Sequence, residues 1–290
     1  YLPAVLARPM AAELGMAPAT VYLAFSLALV VSALVGPASG RAIDRAGGRP
    51  VLMACNGVFA LGLAGLALAQ GPLALFAAWA VLGLAMGAGL YEAAFATLVR
   101  LYGAAARNPI TGITLIAGFA STVGWPLSAW MLAHFGWRGA CGGWALLHLL
   151  VGLPLNALLP RDGPAAAAEP AAAAPTAAAP AAGLAAAAPS PAPSPAQSPA
   201  AAPAAATADA PPASPWLAVL LSLFFAIGMF IGTAWATHLP MLLQSVGASL
   251  AVAIGVGALV GPAQVAGRVL EFGVLRRLHP LRTARVAALA

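Results

Sequence analysis

The stretch Gly40-Arg-Ala-Ile-Asp-Arg-Ala-Gly-Gly-Arg-Pro50 holds three arginines, one aspartate and three glycines in eleven residues. Only 7% of the whole chain is charged, so this density stands apart. Apolar runs flank it, Val21–Ser39 before and Val51–Gln70 after. Each is close to the length of about 20 residues that crosses a bilayer as a helix. The stretch therefore reads as a tight polar turn between two membrane spans.

Composition extends that reading to the rest of the chain. Its 290 residues are 62% hydrophobic, with mean hydropathy +0.93. A soluble domain is about half apolar, so this is a polytopic membrane protein. The apolar runs are long and rich in Gly and Ala. They lack the short alternating segments of an outer-membrane barrel, which makes the fold all-α. All 13 basic residues are arginine. The net charge of +6 fits arginines that hold loops on the cytoplasmic side, and no nucleic-acid partner is expected. Cys55 and Cys141 both lie inside apolar runs and read as small buried hydrophobes, not as a disulfide. The chain opens on Tyr-Leu-Pro-Ala-Val-Leu, without Met, and ends on Arg-Val-Ala-Ala-Leu-Ala; no basic region followed by a cleavage site is read at its start, so no signal peptide is expected in this stretch. Both ends read as positions inside helical runs, so the expectation is a fragment truncated at both ends.

Tyr1 to about Ala12 reads as the end of a first span, and Val21–Ser39 and Val51–Gln70 as the second and third. The fourth, Leu73–Val99, contains one acid, Glu92. The fifth is Ile110–Phe135, and the sixth is Gly139–Leu159 with His148 near its middle. Composition then shifts to Ala, Pro and Ser. Proline every few residues defeats the helical preference of alanine, and nothing there could build a core. The expected organisation is a first bundle at 1–159, a disordered linker at 160–215 and a partial second bundle at 216–290. That second bundle holds spans at Trp216–His238 and Ser249 to about Leu275, with a ninth beginning near Val286.

Loops must alternate sides. One set carries Arg41, Arg45, Arg49, Arg100, Arg107, Arg161, Arg276, Arg277, Arg282 and Arg285, and the other carries only Arg138. This imbalance makes the first set, the linker included, cytoplasmic. Gly36-xxx-Gly40, Gly83-xxx-Gly87, Gly228-xxx-Gly232 and Gly257-xxx-Gly261 supply the small residues that helix contacts in lipid need, and they carry no functional weight. More informative is a weak repeat. Leu34-Val-Gly-Pro-Ala ahead of Gly40-Arg41-xx-Asp44 is matched by Leu259-Val-Gly-Pro-Ala ahead of Gly267-Arg268-xx-Glu271. Two related bundles joined by a cytoplasmic linker is a transporter architecture.

Gly40, Arg41, Asp44, Arg45, Gly47 and Arg49 together resemble the signature loop of the major facilitator superfamily, which follows the second of twelve spans. The long loop after span six and the weaker copy after span eight agree with that place. The resemblance covers essentially the whole chain. It implies two pseudo-symmetric helical bundles, truncated at both ends here, and alternating access to a site near mid-membrane. It also implies a gating role for the signature: its glycines allow close approach, while Arg45, Arg49 and Asp44 can pair with acids or helix ends. Drug–proton antiporters of this superfamily carry an arginine in span four, absent here, and a Gly-Pro-rich motif in span five, matched only in part by Gly118 to Pro126. Met10–Met53 looks more like oxalate/formate-type and monocarboxylate carriers. There a basic residue late in span one and an arginine in span eight can hold a carboxylate, which points to Arg8 and Arg268. Gln264 stands where the monocarboxylate carriers place an acid, so proton-coupled monocarboxylate transport is not implied.

Charges inside spans face a cavity or a partner. Arg8 either binds an anion or snorkels to the outer interface. Arg268 either sits at the cytoplasmic end, as its repeat partner Arg41 does, or lines the cavity, and Glu271 one turn away can neutralise it. Glu92 is either a proton-coupling acid, buried enough to hold its proton, or the partner of a signature arginine. His148 reads as hydrogen-bonded to a neighbouring helix. Trp125-Pro126 reads as a kink that is either ordinary packing or an aromatic wall of the cavity. His134, His148 and His238 belong to separate spans, and no metal set, nucleotide loop or catalytic triad stands out. No cofactor and no enzymatic activity are expected.

The reading is a monomeric carrier of a small solute in the bacterial inner membrane, coupled to protons or to exchange, with an organic carboxylate as cargo. Efflux of an apolar drug or metabolite is the alternative within transport. A non-transporting sensor or scaffold on the same fold is the alternative from another class.

Overall fold

The apolar runs fold as helices. Among the residues that the computed structural model describes, 2–160 and 215–273, every regular element is helical. α1 spans Leu2–Glu13, α2 Pro18–Ala46, α3 Gly48–Leu68, α4 Pro72–Gly89 and α5 Tyr91–Tyr102. A 3-10 turn, Gly103–Ala106, leads to α6 Arg107–Gly118 and α7 Ala120–Leu147. A π turn, His148–Gly152, leads to α8 Leu153–Ala157, and α9 Pro215–Ser245 and α10 Leu250–Gly273 follow. The segments long and apolar enough to cross a membrane are Pro18–Ala46, Gly48–Leu68, Pro72–Ala157, Ala226–Ser245 and Leu250–Val269. The expected linker falls outside the described residues except for 160 and 215, and the basic loop 276–285 and the ninth span fall outside them entirely.

The polar turn at 40–50 is much shorter than expected. α2 continues to Ala46, so Gly40, Arg41, Asp44 and Arg45 are all helical. Arg, Ala and Ile favour continued helix beyond the apolar run, and only Gly47 stops it. Gly47 has φ 84° and ψ 160°, a conformation that side chains resist. Gly48 already begins α3. The two halves of the repeat agree in structure, since Pro37 lies inside α2 and Pro262 inside α10.

The 86-residue segment Pro72–Ala157 would reach roughly 130 Å as one straight helix, about four times the thickness of a bilayer core. It folds back at Gly103 (φ 53°) and Gly136 (φ 68°). The fourth and fifth spans are each also interrupted, at Leu90 and Phe119, where the sequence reading had unbroken helices. Arg100, expected in a loop, lies in the last turn of α5. α7 passes through Pro126 without interruption, so the break in this span lies at Phe119 and not at Trp125-Pro126.

Close contacts set the directions of the spans. Gly62 meets Leu82 and Gly65 meets Ala78, so α3 and α4 are antiparallel. Gly83 packs on Ala28 and Gly87 on Ser32, so α2 and α4 are parallel. Arg138 reaches Ala67 while His148 reaches Asn56, so α3 and the sixth span are antiparallel. The alternation of loops therefore holds.

At one end Glu13, Ala67 and Arg138 converge. The Arg138 Nε donates to Glu13 Oε1 at 2.8 Å, its Nη1 to the Ala67 carbonyl at 2.6 Å, and the Trp137 Nε1 to Glu13 Oε2 at 2.6 Å. Trp137 is 3% exposed. At the other end, which carries the arginine-rich connections, Ile43, Leu52 and Ala93 form a small core backed by Leu159.

Candidate functional site

A cavity of about 730 Å³ lies between the first bundle and α9. One wall is a stripe of α2 that includes Tyr22, Phe25, Ser26, Ser32 and Gly36. With Leu29 and Ala33 they recur at steps of three and four, the helical spacing that sets residues along one face. The facing wall is α9, through Met229, Phe230, Thr233, Thr237 and His238. The floor is Gly87 and Glu92. Gly87 is glycine because α2 lies against it: a Cβ there would stand 2.6 Å from the Ser32 carbonyl.

Glu92 owes its place to the interruption at Leu90. It occupies the first turn of α5, where free backbone N–H groups face a negative charge favourably. The expectation of a buried acid is not met, because Glu92 is exposed to the cavity. Nor does it meet a signature arginine, since no ion pair or hydrogen bond holds its carboxylate among the described residues. Among the described residues it is the one Asp, Glu or Arg side chain lining the cavity, which His238 lines as well.

The arginines flank the cavity without lining it. Arg8 Nη1 donates to Gln244 Oε1 on α9 at 3.4 Å, and its charge acts on the Tyr22 hydroxyl. Arg268 is half-buried on α10, and its charge acts on Tyr91, next to Glu92. Glu271 lies on α10, with its side chain outside the described residues. The His238 ring lies tilted against Tyr22 across the bundles, ring centroids 4.6 Å apart, and its Nδ1 is buried without a partner among the described residues. The sequence offered His238 as an isolated histidine. Its partnership with Tyr22 joins residues 216 positions apart, a proximity that periodicity cannot carry.

A second contact joins the bundles through α7 and α10. Trp125 is 1% exposed and packs with Leu239 and Ile254, away from the cavity wall. Its ring fills the space above Gly257. Thr122 Oγ1 donates to the Ala258 carbonyl at 2.9 Å, and a Cβ on Gly261 would stand 2.6 Å from the Gly118 carbonyl. Two of the four Gly-xxx-Gly pairs thus mark real contacts, Gly83/Gly87 between α2 and α4 and Gly257/Gly261 between the bundles. Gly36/Gly40 and Gly228/Gly232 have open space where a Cβ would be.

The signature residues sit at the arginine-rich end. Arg41, Asp44 and Arg45 are exposed and Arg49 is half-buried, and none forms an ion pair among the described residues. The contact there is made by Arg100, whose Nη1 donates to the Asp44 backbone carbonyl in the last turn of α2. Gly48 lies so close to Thr97 that no Cβ would fit. The signature thus touches α5, the short helix that begins at Tyr91 and Glu92.

His148 is engaged as expected: its Nδ1 is 3.0 Å from Asn56 Oδ1 and its ring stacks on Phe59. Cys55 and Cys141 are free and buried, and Cys55 Sγ donates to the Ala85 carbonyl at 2.9 Å. Among the described residues no cluster could hold a metal ion.

No curated protein and no solved structure matches the chain. The family model described as Major Facilitator Superfamily matches residues 1–290. The whole-length match and the membrane-spanning helices agree, and the chain belongs to the major facilitator superfamily, a family of membrane transporters.

Proposed function

We propose that the chain carries a small solute by alternating access, with the cavity between α2 and α9 as the transit site. The observation that carries this reading is Glu92, a carboxyl group with no partner among the described residues on the floor of a cavity between the two bundles. The contacts between bundles are of two kinds. The α7–α10 face is close-packed around Trp125, Gly257 and Gly261, which suits a pivot. The Arg8–Gln244 and Tyr22–His238 contacts are thin and polar, which suits a gate that opens.

Glu92 would couple transport to protons by taking up a proton on one side and releasing it on the other. The arginine-rich end, and the linker with it, would face the cytoplasm of a bacterial inner membrane. Asp44 and the signature arginines would act as a latch at that end, and one copy of the chain would suffice. A carboxylate cargo is the second reading. It rests on Arg268, whose charge acts on Tyr91 next to Glu92, and requires an arginine to enter the cavity in another state.

The test is uptake by the full-length protein in proteoliposomes with and without a pH gradient, for wild type and Glu92→Gln. Loss of the pH dependence in the variant is expected. A dependence that stays unchanged removes the coupling role.

A further inference from the structure

The charges around the cavity point to its cargo. Glu92 is the one Asp, Glu or Arg side chain on its lining, which His238 also joins, and among the described residues its carboxyl has no ion-pair partner. Neither nearby arginine supplies a counter-charge on that lining. Arg8 is engaged with Gln244, and Arg268 is on α10 outside the lining. The walls also present Tyr22 and Phe25 from α2 and the polarisable Met229 with Phe230 from α9. Aromatic faces attract cations, and a thioether adapts to irregular apolar shapes. A carboxylate solute on this floor would meet Glu92 with no guanidinium on the described lining beside it. Walls low in dielectric strengthen that repulsion, and they strengthen attraction to a cation equally.

Resting on the reading of this cavity as the transit site, we propose that its solute is a lipophilic organic cation. Glu92 holds the positive charge and the aromatic walls hold the apolar body. The hydroxyls of Ser26, Ser32, Thr233 and Thr237 are spaced along both walls and can hydrate or bind polar substituents as the solute passes.

The test is equilibrium binding to the purified full-length protein of two probes, tetraphenylphosphonium and benzoate. Saturable binding of tetraphenylphosphonium is expected, weakened about tenfold or more by Glu92→Gln and largely kept by Glu92→Asp, as a charge contact in a low-dielectric site predicts. Phe230→Leu is expected to weaken it with Glu92 intact. Thermal unfolding read by a thiol-reactive dye at buried Cys55 and Cys141 controls for folding. Saturable binding of benzoate alone, abolished by Arg268→Gln, overturns the proposal, as does saturable binding of neither probe or equal cation affinity in Glu92→Gln. Cation binding that depends on Glu92 while uptake ignores the pH gradient keeps this inference and removes proton coupling. The two readings therefore fail separately.

Discussion

The ring of Trp125 on α7 occupies the space where a side chain on Gly257 of α10 would project. Any Cβ at Gly257 must displace a fully buried indole, and overpacking of this kind costs about 2 kcal/mol. Gly257→Ala is expected to lower the unfolding temperature of the detergent-solubilised protein and to reduce transport. Gly255→Ala, two residues away with open space at its Cβ, is expected to change neither. Equal stability of the two variants would show that the bundles do not meet here.

The signature glycines separate by the same reasoning. Gly47 is needed for its positive φ, and Gly48 for its approach to Thr97. Gly47→Ala should cost about 1–3 kcal/mol in backbone strain. Gly48→Ala should be destabilising alone and largely rescued by Thr97→Gly, a coupling that a double-mutant cycle measures. Gly40→Ala should be neutral or slightly stabilising, since its position is helical with open space around it.

Arg100 holds the Asp44 carbonyl while the Asp44 carboxylate stays exposed and unpaired among the described residues. The two groups therefore make different predictions. Arg100→Ala should lower stability by about 1–2 kcal/mol, the scale of a charge-assisted hydrogen bond. Asp44→Ala should leave the unfolding temperature near wild type but slow transport. Transport at the wild-type rate, with correct insertion, would remove the latch role.

At the opposite end, hydrogen bonds from Arg138 and then Trp137 hold the Glu13 carboxyl below the usual carboxylate range. A group lowered in the folded state contributes stability above its unfolded pKa and loses it as pH falls through the folded value. Wild type should therefore unfold at a higher temperature than Glu13→Gln at neutral pH. The gap should close as pH falls below about 4, the ordinary range for Glu. Glu13 is open to solvent, so added salt should narrow the gap as well. A gap unchanged by acid would contradict the ion-pair account.

Hydropathy and the distribution of arginine made the all-helical fold and the alternation of loops legible, because bilayer thickness and the positive-inside rule act on single segments. The length of the turn at 40–50 was not legible that way. Polar residues such as Arg41 and Asp44 leave an apolar run while remaining helical, so the end of hydropathy is not the end of the helix. The breaks at Leu90 and Phe119 escaped because neither residue is a helix breaker. Glu92 stood out as a lone acid in an apolar run, yet its exposure came from the break just before it. Tyr22, His238 and the Trp125–Gly257 contact depend on how distant helices pack, which no local pattern records.

The central claim is that the cavity between α2 and α9 opens to each side of the membrane in turn. Its most direct test places a single cysteine at Thr233, in full-length protein with Cys55 and Cys141 replaced by alanine, reconstituted in one orientation. A membrane-impermeant maleimide is then applied from either face. The account predicts labelling from both faces, with a ratio that shifts when a pH gradient is imposed and stops shifting in Glu92→Gln. Labelling from one face only, in the same proportion with and without the gradient, would contradict it.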